Sequence, residues 1–311
     1  MKAITYHEYG KSDVLQFVEI PDPVPKDGEV LVEIIASSVN PIDINIRKGF
    51  LKAITGKKFP RTPGADLAGK VIESKHPDFK AGDKVYGMNE AMAGGCNAEK
   101  IAIPGAYLAE KPNVLSFHTA AIMPLSGLTC IQALIRKCAI KAGYDVLING
   151  CTGGVGSMAV QIATAKQAMV SGVCSKKNEQ LARNLGADHV VGYEHEDLYQ
   201  LGKFDIIFDT VETLQLNKVK KMLKPGGKYI TTKVNPNIML RAKLSRKINY
   251  VNVKPDHTDL VLLTRMIEDK QIIPVIEKDY PLEFLAKAHD FVERGHSRGK
   301  VIVQVKAQGK K

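Results

Sequence analysis

Short β-rich runs dominate the first hundred positions: VLVEII (30–35) and GKVIES (69–74) are typical, and prolines and glycines at 21–28, 60–64 and 82–87 separate them. Runs of that length bounded by turn formers predict a compact all-β module. From about Gly143 the rhythm becomes strand, turn, helix in repetition: DVLIN, a glycine cluster, a helix over 156–167, AMVSGVC, and a helix over 177–185. HVVGY (189–193), FDIIFD (204–209), a helical stretch over 214–223 and KYITT (228–232), entered through Pro225-Gly226-Gly227, continue it. Such alternation predicts an α/β class with a doubly wound parallel sheet. After INYVNV (248–253) the pattern predicts a helix near 258–269, a short strand around 275–277, a helix over 282–294 and a last strand KVIVQV (300–305). No internal repeat is present. At 311 residues, and with roughly 150 residues per domain, the chain is expected to hold about two domains.

The segment Asp145 to Gly156, DVLINGCTGGVG, places an apolar strand directly before a glycine-rich turn, and SMAVQIATAK follows as a helix. A dinucleotide diphosphate needs a tight turn, backbone without Cβ where the phosphates approach, and free N–H groups at a helix N-terminus. Gly150, Gly153, Gly154 and Gly156 supply the glycines, with Thr152 and Val155 between them. The spacing G-x-x-G-x-x-G departs from the usual G-x-G-x-x-G, so it is the strand-turn-helix context that carries the reading. A ligand-free structural turn is the alternative. NAD-binding chains usually place an acidic residue about 20 positions on, where it holds the ribose hydroxyls. Here that stretch reads Ser171-Gly172-Val173-Cys174-Ser175-Lys176-Lys177, with no carboxylate before Glu179. A 2′-phosphate would be repelled by a carboxylate and held by ammonium and hydroxyl groups, so the expected cofactor is NADPH. Two solvated lysines opening a helix are the plain alternative.

Composition narrows the class without naming an activity. With 44% hydrophobic, 25% charged and 6% aromatic residues, the chain is an ordinary globular sequence. No signal-peptide core opens it and no stretch reaches about 18 continuous apolar residues, so a cytoplasmic location without a membrane span is expected. Cys96, Cys130, Cys138, Cys151 and Cys174 are scattered, odd in number and never spaced C-x-x-C, as expected of reduced thiols. The net charge of +11 would suit a nucleic acid, an anionic membrane or an anionic cofactor. Its densest basic segment, Arg241, Lys243, Arg246 and Lys247, lacks interleaved aromatics and reads first as a solvated face, with an anion-binding role as the alternative. The histidines His7, His76, His118, His189, His195, His257, His289 and His296 show no ligand spacing, and no G-x-S-x-G elbow favours a hydrolase.

Beyond the turn, the whole chain resembles the zinc-free quinone oxidoreductase (zeta-crystallin-like) branch of the medium-chain dehydrogenase/reductase superfamily. The carriers are Val39-Asn40-Pro41-Ile42-Asp43 with Ile46-Arg47-Lys48-Gly49, Thr62 through Gly69, and Gly82 through Gly87. Gly95 through Glu99, Leu128-Thr129, the turn with Gln161, Leu185-Gly186-Ala187, Leu223 through Gly227, and Gly299-Lys300-Val301 complete them. The resemblance implies a GroES-like catalytic domain over 1–118, a Rossmann domain over 119–255 and a C-terminal return over 256–311, with the catalytic cleft between the domains. Zinc-dependent relatives carry a cysteine near position 40, Gly-His-Glu near 64–66 and a four-cysteine lobe around 90–110. This chain has none of these, so no metal is expected.

Carried over by resemblance, Asn40 and Asp43 would border nicotinamide and substrate, Arg47 would stand at the pocket edge, and Thr129 would meet the nicotinamide end. Lys177 or Lys176, beside Ser175 and with Tyr193, would hold the 2′-phosphate. Without the family context, a plain turn with an Asx hydrogen bond is the alternative reading of Asn40-Pro41-x-Asp43. Two departures stand out: Asn45 where many members have Tyr, and Glu212 where many have Gly. The expected activity is NADPH-dependent reduction of a small electrophile, a quinone or the C=C bond of an α,β-unsaturated carbonyl, by a homodimer. The rival readings are an enoyl-thioester reductase and a non-catalytic, NADPH-responsive RNA-binding protein.

Overall fold

The computed structural model describes residues 1–194, 197–295 and 297–306, so His195 and His296 lie outside the described residues. The chain divides into two compact units: Met1–Leu125 with Lys254–Glu268 and the residues from Ile276 on, and Ser126–Val253 with Asp269–Val275.

The first unit is built on a seven-stranded sheet. Its longest strand, Glu29–Val39, buries Val30, Val32, Ile34 and Ala36 while the residues between them stay half-exposed, the period of two that one covered face requires. Val30, Val32 and Ile34 pack with Leu67, Val85, Ile103 and Leu108 into one core. The alternation ends at Ser37, Ser38, Val39 and Asn40, which are all buried. There the strand Lys300–Gln304 pairs antiparallel with Val301 opposite Val39. The module is not purely β, because Pro41–Arg47 and Lys52–Thr55 are short helices.

The second unit is a six-stranded parallel sheet in the order His189–Gly192, Met169–Cys174, Asp145–Asn149, Phe204–Asp209, Leu223–Thr231, Ile248–Tyr250. Numbered along the chain, that order is 3-2-1-4-5-6, the doubly wound dinucleotide-binding topology. The order reverses between Asp145–Asn149 and Phe204–Asp209, where Asn149 stands opposite Asp209. The segment Asp269–Val275 belongs to this unit because Gln161 grips it: its amide donates to the Ile273 carbonyl at 3.1 Å and its oxygen accepts from the Ile273 N–H at 2.8 Å.

Most expected elements form near their expected bounds, including Gly154–Ala165, His257–Glu268 and Leu285–Glu293. Helices between 117 and 137 were not among them. By length and hydropathy that stretch could cross a membrane, yet 83% of its apolar window is buried inside the protein. Leu128, Ile131, Ala133 and Leu134 are buried, so apolar residues on all sides leave no stripe to read. Helix Pro236–Leu244, capped by the Asn235 side chain at the Ile238 N–H (2.9 Å), was also unforeseen.

Candidate functional site

In the second unit, Gly150 follows the first strand with φ +80, and an added Cβ would meet Val211 Cγ1 at 2.5 Å. A Cβ on Gly156 would lie 2.0 Å from the Gly150 carbonyl oxygen, so the start of the helix can sit on the turn only if that residue is glycine. Gly153 is different. Its φ of −76 is open to any residue, and a Cβ there would meet only the Gly150 oxygen at an ordinary 3.5 Å. Neither the backbone nor the packing of the protein demands glycine at 153. A diphosphate approaching the helix N-terminus from outside would find the backbone bare there. Gly153, Gly154 and Val155 are half-exposed, whereas Thr152 is buried. The first-turn N–H groups of Gly154, Val155 and Gly156 have no partner earlier in the helix.

Beneath this turn the buried thiols of Cys151 and Cys174 interact, which pushes Cys151 up and Cys174 down. A Cβ on Gly172 would strike Cys151 Sγ at 2.8 Å, so the second strand must be bare where the thiol packs. All five cysteines are free thiols and buried. Thr129 is buried, and its neighbour Cys130 donates to the Val155 carbonyl at 3.2 Å, which lays that helix against the start of the glycine-turn helix.

At the end of the second strand Ser175 is buried while Lys176 and Lys177 are exposed. Tyr193 arrives from the third strand, its N–H on the Cys174 carbonyl at 3.2 Å, so these four expected residues share one corner. Sequence inspection missed a carboxylate there: Glu194 accepts from the Lys176 N–H at 2.8 Å. It reaches the corner from the end of a different strand, outside the window in which an acidic residue was sought.

The Asp209 carboxylate, buried at the reversal point, was also missed. Its Oδ1 accepts from Asn149 Nδ2 at 2.8 Å and the Glu212 N–H at 2.9 Å. Its Oδ2 takes the Leu214 N–H and the Tyr229 hydroxyl, each at 3.1 Å. This bonding wraps the loop after the fourth strand over the glycine turn and holds Glu212 at φ +61. Where relatives would have glycine, a side chain sits in the left-handed region, at a cost of about 1 kcal/mol. Burial raises the Glu212 carboxyl above its usual range, and Asp209 adds to that while Lys233 opposes it.

In the first unit, Asn40 and Asp43 are both buried at the start of helix Pro41–Arg47. Asp43 Oδ2 accepts the Asn40 N–H at 2.8 Å, the local capping contact that the motif also allows. The Asn40 amide turns the other way. Its Nδ2 donates to Asp66 Oδ2 at 2.9 Å, and its Oδ1 accepts from Lys300 Nζ. Lys300 also pairs with Asp66 at 3.2 Å. Ser38 donates to Asp66 at 2.5 Å and the Leu125 N–H at 2.7 Å. In the sequence Asp66 and Lys300 stand in separate motifs; the strand register that sets Val301 against Val39 makes them partners of Asn40.

Burial, reinforced by the repulsion of Asp66, raises Asp43 to about 7, against the opposing Asn40 N–H and Lys300. Asp43 also lines a shallow depression with Tyr6, Ile46, Arg61 and Thr62. Arg47 does not line it. Arg47 is fully buried, donates to Glu293 at 2.8 Å, and helps burial lower His289 to about 3, so it faces helix Leu285–Glu293 instead of a pocket edge. Among the described residues no group of three or more His, Cys, Asp or Glu is placed to hold a metal ion.

Against known proteins, residues 26–113 match the family described as alcohol dehydrogenase GroES-like domain, and residues 185–303 the family described as zinc-binding dehydrogenase. The chain is 30% identical to the chloroplast envelope quinone oxidoreductase homolog of Arabidopsis thaliana, over 98% of each chain. It is 33% identical to the NADPH-dependent alkenal/one oxidoreductase, chloroplastic, of the same plant, over 97% of this chain and 79% of that one. The solved structure of the quinone oxidoreductase from Coxiella burnetii superposes with a TM-score of 0.90 at 29% identity, covering 98% of this chain and 99% of the other.

Proposed function

Since this chain belongs to the quinone oxidoreductase family of the medium-chain dehydrogenase/reductase superfamily, we propose that it reduces quinones or the C=C bond of α,β-unsaturated carbonyls with NADPH. The observation that carries the cofactor half is Gly153, a glycine at the helix N-terminus that neither its φ nor its packing requires. The names of the similar reductases support the acceptor class. When bound, NADPH supplies the hydride.

The chain's own residues do the rest. The N–H groups of Gly154, Val155 and Gly156 hold the diphosphate at the helix N-terminus. Ser175, Lys176, Lys177 and Tyr193 hold the 2′-phosphate, and Thr129 stands at the nicotinamide end. In the first unit, Asp66 and Lys300 engage the two ends of the Asn40 amide, so Asn40 is a positioning residue. It fixes the helix start from which Asp43 faces the depression. Below about pH 7 Asp43 holds a proton, with Oδ1 free to carry it because Oδ2 accepts the Asn40 N–H, and a neutral carboxylic acid can donate to an acceptor's carbonyl oxygen.

We read the reaction as zinc-independent, although one matching family is described as zinc-binding. The Asp66 oxygens are engaged by an ammonium, an amide, a hydroxyl and an N–H, and a cation is already present there. Elemental analysis tests this: active protein is expected to carry no stoichiometric zinc, and zinc lost together with activity overturns it. The edge strand Ile248–Tyr250 has a side unpaired by any strand of its sheet, which suits a homodimer, and five buried free thiols suit the cytoplasm. Light scattering in solution and cell fractionation test these two points.

The decisive experiment is anaerobic stopped-flow oxidation of protein-bound NADPH by a quinone and, separately, by an enone. At least one acceptor should accelerate it well above the protein-free rate. No acceleration with either removes the proposal.

A further inference from the structure

Each of the two phosphate-holding segments of the second unit has a cysteine directly beside it. Cys151 follows Gly150 in the glycine turn, and Cys174 precedes Ser175 at the lysine corner. Hydride transfer uses neither thiol. The backbone brings them together: the Cys151 N–H donates at 3.0 Å to the Val173 carbonyl, the peptide group that leads into Cys174, and the Gly150 N–H shares that acceptor at 3.0 Å. Side chains two apart on a strand point to one face, so Cys174 projects on the face that Gly172 leaves bare. A Cβ on Gly172 would meet Cys151 Sγ at 2.8 Å and Cys151 Cβ at 3.1 Å, so the Cys151 side chain lies over that same face.

The pair differs chemically from the other three cysteines. Burial raises Cys96, Cys130 and Cys138 and keeps them as thiols. The neighbouring Cys151 thiol instead holds Cys174 below the usual thiol range, against burial and the Glu179 and Glu194 carboxylates. A thiolate is the form that reacts with oxidants. Cys174 also ends its strand, two residues before the exposed Lys176 and Lys177, so a small solute has a short way in.

We infer that Cys151 and Cys174 are a redox modification site, which hydroperoxides close into one intramolecular disulfide that weakens NADPH binding. The Cys174 thiolate attacks the peroxide: an S–O bond forms, the O–O bond breaks, and the departing oxygen leaves as water or an alcohol. Cys151 then attacks the sulfenic sulfur and gives up its proton. The S–S bond forms as the S–O bond breaks, and the released hydroxide takes that proton to become water. In sum, both thiols are oxidised to the disulfide and the peroxide is reduced to two hydroxyl products. The bond draws Cys151 and Cys174 closer than packing does. Gly150 must move with its neighbour, and the helix start rests on the Gly150 carbonyl with no room for a Cβ at Gly156. A shift of the turn therefore displaces the first-turn N–H groups from the diphosphate. The weakening rests on the NADPH reading, whereas the disulfide does not.

Full-length protein is treated with a small excess of hydrogen peroxide, its remaining thiols are alkylated after unfolding, and its peptides are mapped by mass spectrometry. A linked pair holding Cys151 and Cys174 is expected, with Cys96, Cys130 and Cys138 alkylated. NADPH affinity, followed by fluorescence titration, should fall about tenfold or more and recover with dithiothreitol. Cys151→Ala and Cys174→Ala should each bind NADPH as the reduced wild type does and keep that affinity after peroxide; two single variants leave the test open should one misfold. Separate alkylation of Cys151 and Cys174 after peroxide overturns the inference. So does a disulfide between another pair, or a stable sulfinic acid on Cys174. A correct disulfide with unchanged NADPH affinity overturns the control of the cofactor site. Failure of the reduced wild type to bind NADPH overturns the cofactor reading and that control with it, while the linked peptide alone decides the disulfide.

Discussion

The two polar centres of this protein are built from opposite materials. In the second unit the glycine turn works through what is missing: no Cβ at 150, 153 or 156, and N–H groups left over at a helix end. In the first unit the Asn40, Asp66 and Lys300 centre works through what is present, an ion pair and amide sealed from water. A backbone site needs only a short contiguous segment. A buried side-chain network needs partners 26 to 260 residues apart to be brought into register, and its charges must balance.

The sharpest way to break the comparison is Lys300→Met. It leaves the Asp66 carboxylate buried without its counter-charge and should destabilise the protein by about 3–5 kcal/mol, read by urea unfolding. Adding Asp66→Asn should recover a large part of that. An effect below about 1 kcal/mol would show that the hydrogen bonds alone carry the carboxylate.

Next comes a matched pair in the other unit. Gly153→Val should keep the wild-type melting temperature and weaken NADPH binding by about a hundredfold, or ~2.7 kcal/mol. Gly156→Val should lose thermal stability as well, because its side chain would meet backbone. Equal melting losses in the two would erase the distinction between a packing glycine and a ligand glycine.

A third test concerns Asp43, whose ordinary value of 3.8 is raised to about 7 in the folded protein. Between those pH values the unfolded chain has released a proton that the folded chain retains, so stability falls as pH rises through the window and levels off above it. Asp43→Asn should flatten that slope. An unchanged slope would mean that the carboxylate ionises in place. If Asp43 donates to the acceptor, kcat of the wild type should also fall above about pH 7, and the variant should lose that limb.

Two smaller effects sharpen the second unit's account. Glu212→Gly relieves the left-handed backbone at φ +61 and should stabilise by about 1 kcal/mol in thermal unfolding. Glu194→Gln removes the carboxylate beside Lys176 and should raise the preference for NADPH over NADH by a fewfold in comparative KM measurements. A shift toward NADH would show that Glu194 does not face the 2′-phosphate.

Whatever rests on neighbours along the chain is legible in the sequence: the alternation of strand and helix, the glycine turn, the lysines after the second strand, and the Asn40 to Asp43 cap. Periodicity and turn chemistry act over a few residues, so they can be read in line. Tertiary structure alone decided the rest. It joined Lys300 to Asn40 and Asp66, and brought Glu194 to the lysine corner. It buried the Asp209 carboxylate under Tyr229 and Leu214, and turned Arg47 toward Glu293. It also sealed the apolar helices of 117–137 inside and left Leu240 and Leu244 outside. Burial and charge pairing depend on which strands meet and in what register, and no local pattern encodes a partner two hundred residues away.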